Sequence, residues 1–370
     1  MISIAFTGDI AFSKHFNTAY ENQNLLSDKI IEFLSNSNYT VANVEAPVTL
    51  KPTSAVQDLV HVSHPRIVET LKKINGNVWN LANNHSMDCG EEGLKETIRY
   101  ATESGAQTIG AGLNVKQASK PLVLEKDGVK VGIVSLASEL SVLSDENNAG
   151  CFSWADFKRI KAIIEKLKQE CDYCAVVVHG GEEFSQIPLP YAREKYKKYL
   201  KFGADVVVGH HPHVTQNYET FGNKVVFYSL GNFIFDTDYQ RSQKNTEKGV
   251  LIKIDFDKEG FKWKNLCIKI DRQTGTVKEC EPHLIFTNIC AKEYNRLIPF
   301  ADLNYSKNLL NKYNFLGKTN LTCTKRKFFK AKLERFQKGE RAWVYKMILL
   351  RPFKAYKKVD KNLVEYIKNS

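Results

Sequence analysis

Nowhere among the 370 residues does an uninterrupted apolar run approach the roughly 18 residues that a membrane-spanning helix needs. Nor does the N-terminus, Met1-Ile2-Ser3-Ile4-Ala5-Phe6-Thr7-Gly8-Asp9, carry the basic stretch and short apolar core of an export signal. The chain therefore reads as cytoplasmic, with room for a peripheral contact at the inner membrane surface. A disulfide framework is missing too. The eight cysteines (89, 151, 171, 174, 267, 280, 290, 323) are scattered, which at this chain length points to reduced thiols. Cys171 and Cys174 form one C-x-x-C without the second pair that a zinc knuckle requires, and are expected to be core or strand-edge thiols.

Most of the chain also lacks net charge. Residues 321–370 hold 15 Lys/Arg against 4 Asp/Glu and so supply +11 of the overall +12. A body this close to neutral, without an aromatic-basic groove, lacks the footprint of a nucleic-acid binder, and nucleic acid is not expected as a partner. The basic tail itself, with Lys325-Arg326-Lys327-Phe328-Phe329-Lys330 and the stretch from Trp343 to Lys358, suits an anionic membrane surface or polymer. A solvated, partly helical extension packed on the domain is the plainer alternative.

What is present is a succession of short apolar runs closed by turn residues: Ile2 to Phe6, Tyr39 to Val44, Val78 to Ala82, Val131 to Leu136, Ala175 to Val178, Val206 to Val208 and Val225 to Leu230. These read as buried strands. Amphipathic stretches at Gly93 to Ser104, Trp154 to Gln169 and Tyr191 to Phe202 read as intervening helices, so an α/β layered fold is expected. Val250 to Phe256 and Lys262 to Ile270, around Asp257-Lys258-Glu259-Gly260, read as a closing hairpin. The expected organisation is one domain over residues 1–290, a connecting segment over 291–320 and the basic aromatic extension over 321–370, helical around Lys327 to Gln337.

Residues of metal-ligand type follow directly after those strands, where an α/β sheet places its functional loops. They are Gly8-Asp9, Asn43-Val44-Glu45, Asn83-Asn84-His85, His179-Gly180-Gly181-Glu182-Glu183 and Gly209-His210-His211-Pro212-His213. Five of the nine histidines fall here, which scattered surface histidines would not do. Carboxylate, amide oxygen and imidazole together suit borderline divalent ions such as Mn, Fe, Zn or Co. A shared carboxylate can hold two such ions about 3.5 to 4 Å apart. His211 and His213, two apart around a proline, would share a face if that segment were extended.

With Phe6-Thr7-Gly8-Asp9, Asn43-Val44-Glu45, Ala82-Asn83-Asn84-His85, His179-Gly180-Gly181 with Glu183, Gly203-Ala204-Asp205 leading to His211-Pro212-His213-Val214, and Tyr228-Ser229-Leu230-Gly231-Asn232-Phe233, the chain resembles the CapA family of capsule or poly-γ-glutamate synthesis. That family is in turn similar to the calcineurin-like metallophosphatases. The match covers residues 1 to about 255, with six motifs in order.

The resemblance implies a four-layer α/β/β/α metallophosphatase-like sandwich. It places Asp9 and His213 on one ion, Asn84, His179 and His211 on the other, Glu45 between them, and His85 as the general acid. One or two divalent ions (Mn, Fe or Zn) are implied. Asn43, Glu183, His210 and Asn232 are candidates for binding substrate or orienting ligands. His210 reads equally as a solvent-facing loop residue, and Gly231 with Asn232 as a turn. Glu183 could bind substrate or orient His179. His15, His61, His64 and His283 have no motif context and read as structural.

Three positions depart from the resembled patterns. Ala11 stands where a metal-binding histidine is expected, Glu45 where an aspartate is, and Gly180 where CapA proteins usually have tryptophan. The expected function is a metal-dependent, phosphoesterase-type hydrolase acting on a phosphoester or anionic polymer in capsule, poly-γ-glutamate or other extracellular polysaccharide synthesis. The alternative, favoured by Ala11, is a non-catalytic metal-binding subunit docked to a membrane polymer synthase by its basic tail.

Overall fold

The chain alternates strand and helix through most of its length, and a computed structural model describes it over residues 1–51 and 60–299. One sheet is built on four parallel strands, β1 (Ile2–Ile10), β2 (Tyr39–Val44), β3 (Val78–Asn80) and β4 (Gln107–Ile109). Beyond β1, it continues antiparallel through β14 (Lys248–Phe256), β15 (Phe261–Asp271) and β16 (Thr276–Glu279). The short β13 (Asn232–Ile234) pairs with the end of β1.

The second sheet runs in the order β11 (Tyr218–Phe221), β12 (Lys224–Phe227), β10 (Val206–His210), β9 (Tyr173–His179), β7 (Val129–Ala137) and β6 (Leu122–Lys126). Its central strands β12, β10, β9 and β7 are mutually parallel. A two-residue ladder joins β5 (Ala111–Gly112) to β8 (Gly150–Cys151). Helices α1 (Asp28–Ser35), α2 (Ile67–Lys73) and α3 (Gly90–Glu103) make the crossovers of the first sheet. Those of the second are α5 (Phe157–Glu170) and α6 (Pro190–Phe202). The single-turn helices α4 (Val115–Ala118) and α7 (Asp238–Arg241) sit in loops.

Strand periodicity sorts the apolar residues into three cores. Ala42, Val44 and Trp79 pack against Ile30, Leu34, Ile67, Leu71 and Leu94 of α1 to α3. Phe6, Val41 and Val78 meet Ile133, Val177, Val208 and Ile252 between the sheets. On the far face, Val134, Val176 and Val207 meet Ile160, Ile164, Tyr196 and Tyr199 of α5 and α6. The alternation at Val176 and Val177 shows why these strands read as continuous apolar runs: both faces are covered. Three cores between four layers are the α/β/β/α sandwich expected from the resemblance.

The 257–260 hairpin forms as expected, its turn held by Asp257 Oδ1, which accepts from the amides of Glu259 and Gly260 at 2.8 and 2.9 Å. Two boundaries differ. The expected strand at Val225 to Leu230 is cut after Phe227, and β13 begins only after Gly231, whose φ of 69° makes the turn. The expected connecting segment starts as a helix over 291–299 that buries Tyr294, Leu297 and Ile298 on the body, with the Tyr294 hydroxyl donating to Pro188 O at 2.8 Å. The rest of that segment and the basic extension, with its expected helix around Lys327 to Gln337, lie outside the described residues. Among the described residues no helix is long and apolar enough to cross a membrane.

β13 is clamped between glycines. A Cβ on Gly8 would lie 2.3 Å from Gly231 O, and one on Gly249 2.0 Å from Asn232 O. Gly249→Ala is expected to lower unfolding free energy by about 1–3 kcal/mol through overpacking. Gly260→Ala, whose Cβ meets nothing within 4 Å, should shift it by less than about 0.5 kcal/mol. Urea denaturation of both variants reads the difference, and equal effects would mean that β13 is free to move aside.

Candidate metal centre

Parallel strands deliver their C-terminal ends to one edge of the sandwich, and strand register decides which side chains meet there. Asp9 pairs with Asn43 on β2 and with Asn232 on β13, while His179 pairs with His210 on β10. Glu45 leaves β2 two residues after Asn43, its amide donating to Ile10 O at 2.7 Å. The result is two overlapping groups, Glu45 with His179 and His211, and Asp9 with Glu45 and His213, each with its ligand atoms within 4.8 Å of one another. All five side chains are buried. The Asn84 Oδ1 atom joins the first group, 2.7 Å from His179 Nε2.

The polar atoms here are also poorly satisfied. Twelve buried side-chain N or O atoms among the described residues have no aligned hydrogen-bond partner, and five belong to this site: Asp9 Oδ2, Glu45 Oε1, His210 Nδ1 and both nitrogens of His211. Buried polar atoms are normally paired, so such a concentration marks a place for an ion. Oxygen and imidazole donors around one shared carboxylate fit one or two divalent ions of borderline type.

The surrounding hydrogen bonds fix how these donors point. Asn43 Nδ2 donates to Asp9 Oδ1 at 2.7 Å and lies 3.4 Å from Glu45 Oε2, while Asn43 Oδ1 accepts from Asn80 at 2.8 Å. Asn232 Nδ2 donates to Gln240 Oε1 and Thr246 O, so its Oδ1 faces His213 Nδ1 at 3.0 Å as an acceptor. His213 Nδ1 therefore carries a proton, and Nε2 is the nitrogen turned towards Glu45, 3.7 Å from Oε1.

His211 and His213 do not reach the pocket along an extended segment as expected. Their φ values are 95° and 56°, so tight turns on either side of Pro212 aim the two rings, whose centroids lie 5.9 Å apart. Left-handed backbone at non-glycine residues is strained, and such strain collects at functional sites.

Charge follows burial. Burial raises Glu45, and the neighbouring Asp9 carboxylate pushes it further up, well above the carboxylate range. Burial would also raise Asp9, but the close imidazoles of His210 and His213, 3.3 and 3.2 Å from its oxygens, outweigh it and hold Asp9 well below its usual value. Burial lowers His179 and His211, with His179 itself adding to the effect on His211, so both imidazoles stay neutral with a lone pair to offer. Burial works against a charged His213 too, yet Glu45 and then Asp9 raise it to about 9.

His85 stands beside the first group. Its Nδ1 lies 2.8 Å from Asp88 Oδ2, which also accepts from the His61 amide at 2.8 Å. The His61 ring meets His85 edge-on at 4.4 Å, and its Nδ1 lies 2.8 Å from Ser13 Oγ. Sequence reasoning missed Asp88 and set His61 aside as structural. Asp88 was findable three residues after His85 in a tight turn, whereas His61 carries no sequence signal, because a loop brings it 24 positions back to the site.

Other readings are corrected. His210 is buried at the end of β10 with Nδ1 3.3 Å from Asp9 Oδ1, and does not face solvent. Asn232 belongs to β13 and bonds His213. Glu183 accepts from the Tyr239 hydroxyl at 3.1 Å, and its charge acts on His211 and His213. Ala11 lies in a small apolar cluster with Ala46 and Phe235. At position 180 a Cβ would come 2.7 Å from the Trp154 ring, so an indole from another loop fills the space beside this glycine. His15, His64 and His283 pair elsewhere, with Asp238, Tyr20 and Gly249 O.

A family model described as "Bacterial capsule synthesis protein PGA_cap" matches residues 3–237. The "PGA biosynthesis protein CapA" of Bacillus subtilis (strain 168) is 30% identical over 269 residues, 70% of this chain and 69% of that protein. The "Capsule biosynthesis protein CapA" of Bacillus anthracis is 30% identical over 253 residues, 65% of this chain and 62% of that protein. Among solved structures, a phosphatase of Mycoplasma pneumoniae superposes with a TM-score of 0.47 at 16% identity, covering 76% of this chain and 95% of that one.

Proposed function

Since the chain belongs to the PGA_cap family of bacterial capsule synthesis proteins, we propose that it is a divalent-metal, phosphoesterase-type hydrolase serving the synthesis or modification of a capsule, poly-γ-glutamate or another extracellular anionic polymer or polysaccharide. The observation that carries this reading is Glu45, shared between two buried ligand groups in which Asp9 Oδ2, Glu45 Oε1 and both His211 nitrogens lack hydrogen-bond partners. Asp9, Glu45 and His213 would hold one ion, and Glu45, Asn84, His179 and His211 the other. Bound there, two such ions supply Lewis acidity towards a phosphoryl oxygen and a water nucleophile at neutral pH.

The chain's own residues do the rest. Asn43 and Asn232 aim the carboxylates and His213 through the bonds described above. His85, fixed by Asp88 through Nδ1, would use Nε2 as a general acid for the departing oxygen. Burial at the strand ends excludes competing water.

Ala11 favours a second reading. Without a histidine there, and with Phe235 closing the space, the Asp9 group is one donor short and the chain would be a metal-binding subunit of a membrane polymer-synthesis complex, docked by residues 321–370. Metal content separates the two, measured by mass spectrometry on chelator-free protein. About two equivalents of Mn, Fe or Zn, cut by Asp9→Ala and by His211→Ala but not by His15→Ala, support the hydrolase. One ion indifferent to Asp9 supports the subunit, and no ion under any loading condition removes the catalytic reading.

A further inference from the structure

Residues 235–247, which link β13 to β14 and carry α7, are tied to the surroundings of the metal centre at three points. Asp238 Oδ1 lies 2.8 Å from His15 Nε2, the Tyr239 hydroxyl donates to Glu183 at 3.1 Å, and Gln240 Oε1 accepts from Asn232 Nδ2. Thr246 O accepts from the same Asn232 nitrogen at 2.9 Å. With both amide protons taken, Asn232 can offer His213 Nδ1 only its oxygen, 3.0 Å away. The tautomer of a metal-binding imidazole is thus set by where Gln240 and Thr246 stand.

What fixes those two residues is a side chain from outside the loop. Arg272, just past the end of β15, donates through Nε to Asp236 Oδ1 at 3.1 Å and through Nη2 to Thr246 Oγ1 at 2.6 Å, so one guanidinium bridges the two ends of the loop. The Thr246 hydroxyl, having accepted from Arg272, spends its own proton on Gln240 O at 2.7 Å. Asp236 and Thr246 are both buried. Reaching two acceptors at once needs the planar fork of a guanidinium, which an ammonium lacks. Asp236 keeps a second cation in any case, since its Oδ2 accepts from Arg241 Nε at 2.6 Å. Removing Arg272 therefore leaves no lone buried charge. Arg272 also lies beyond the residues, 3–237, that the family model matches.

We infer that Arg272 is a positioning residue of the metal centre. By bridging Asp236 and Thr246 it holds the two oxygens that grip the Asn232 amide, and the amide keeps His213 Nδ1 bonded and Nε2 turned towards Glu45. The inference rests on the metal-binding reading of this centre. Groups that orient a metal ligand from behind typically cost about 10–100-fold in metal affinity when removed. Asn232 is such a group, and Arg272, which acts only through it, belongs at the lower end of that range.

Two measurements on the full chain test it. In the metal-free protein, Arg272→Met should speed hydrogen exchange of the Asn232 side-chain amide about tenfold more than that of the Trp79 indole, whose Nε1 donates to Gly76 O at 3.0 Å on the far side of the first sheet's core. Titration calorimetry with Mn(II) should show Arg272→Met weakening the ion about tenfold and Asn232→Ala by about 10–100-fold. The double variant should bind no more weakly than Asn232→Ala alone, because a residue that acts through Asn232 has nothing left to act on. Arg272→Lys should behave like Arg272→Met. An Asn232 amide that exchanges as in the parent, equal acceleration at Asn232 and Trp79, costs of the two substitutions that simply add, or a lysine that restores the parent values would overturn the assignment. A parent that takes up no Mn(II) removes the metal reading instead, and the exchange of the Asn232 amide still decides whether Arg272 holds it.

Discussion

His85→Asn is expected to lower turnover of an alkyl phosphoester by about two to four orders of magnitude, the range that a positioned general acid contributes. The argument runs through Asp88. Its Oδ2 lies 2.8 Å from His85 Nδ1 and also takes the His61 amide, so the imidazole is held by a carboxylate that is itself held. Asparagine can keep a contact to Asp88 and preserve the turn, but it has no proton to give at the position of Nε2. The loss should therefore depend on the leaving group. An alkoxide needs the proton, whereas a nitrophenolate departs without it, so the same variant should cost nitrophenyl phosphate only a few-fold. Parallel rate measurements on the two ester classes, at matched metal content, read this directly. An equal loss on both would mean that His85 shapes the site without transferring a proton, and no loss on either would leave the non-catalytic subunit as the better account.

The strands that carry the site were legible for the same reason that the site exists where it does. β1, β2, β9 and β10 are covered on both faces, so they read as apolar runs, and a polar residue at or just past the end of each belongs to the centre: Asp9, Asn43, His179, His210. Glu45, Asn84 and His211, each next to a strand end in sequence, lie at the same edge. What failed was local conformation and contact between loops. β13 has three residues between two turns, too short for any periodicity, and only its pairing with β1 shows that Asn232 is strand. His210 looked like a loop residue because it touches His211 in sequence, yet β10 continues through it and opposes His179. The aim of His211 and His213 depends on φ values above zero at both, which no side-chain pattern announces. His61 reaches His85 only through the packing of the loop after β2, and Trp154 reaches position 180 only from the loop between β8 and α5.

Glu45→Gln should abolish retention of both metal ions at once, because Glu45 alone belongs to both ligand groups. Metal binding stabilises the fold by mass action, about 4 kcal/mol at a metal concentration a thousand times the dissociation constant. Mn(II) should therefore raise the melting temperature of the parent and leave that of the variant unchanged. The metal-free variant should melt no lower than the metal-free parent, since burial and Asp9 already hold Glu45 in its neutral form, which glutamine mimics. That comparison separates a lost ligand from a lost fold.

Protons supply an independent check on the same centre. In the metal-free chain the folded state holds Glu45 above its unfolded value of 4.5 and His213 at about 9 against 6.5. A group raised in this way stabilises the fold below its unfolded value, and that contribution is lost as pH climbs through the folded one. Metal-free stability should accordingly fall as pH rises towards 9, while metal affinity rises over the same window, because an ion must displace these protons. Calorimetric loading at pH 7 in two buffers of different ionisation enthalpy should register net proton release in the parent, fading above pH 9. Glu45 is the largest of the influences that raise His213, so Glu45→Gln should also bring the His213 titration down, visible in the imidazole NMR signals of the metal-free protein. Loading without proton release would mean that Glu45 and His213 are not the groups that meet the ion, and the shared-carboxylate arrangement would have to be abandoned.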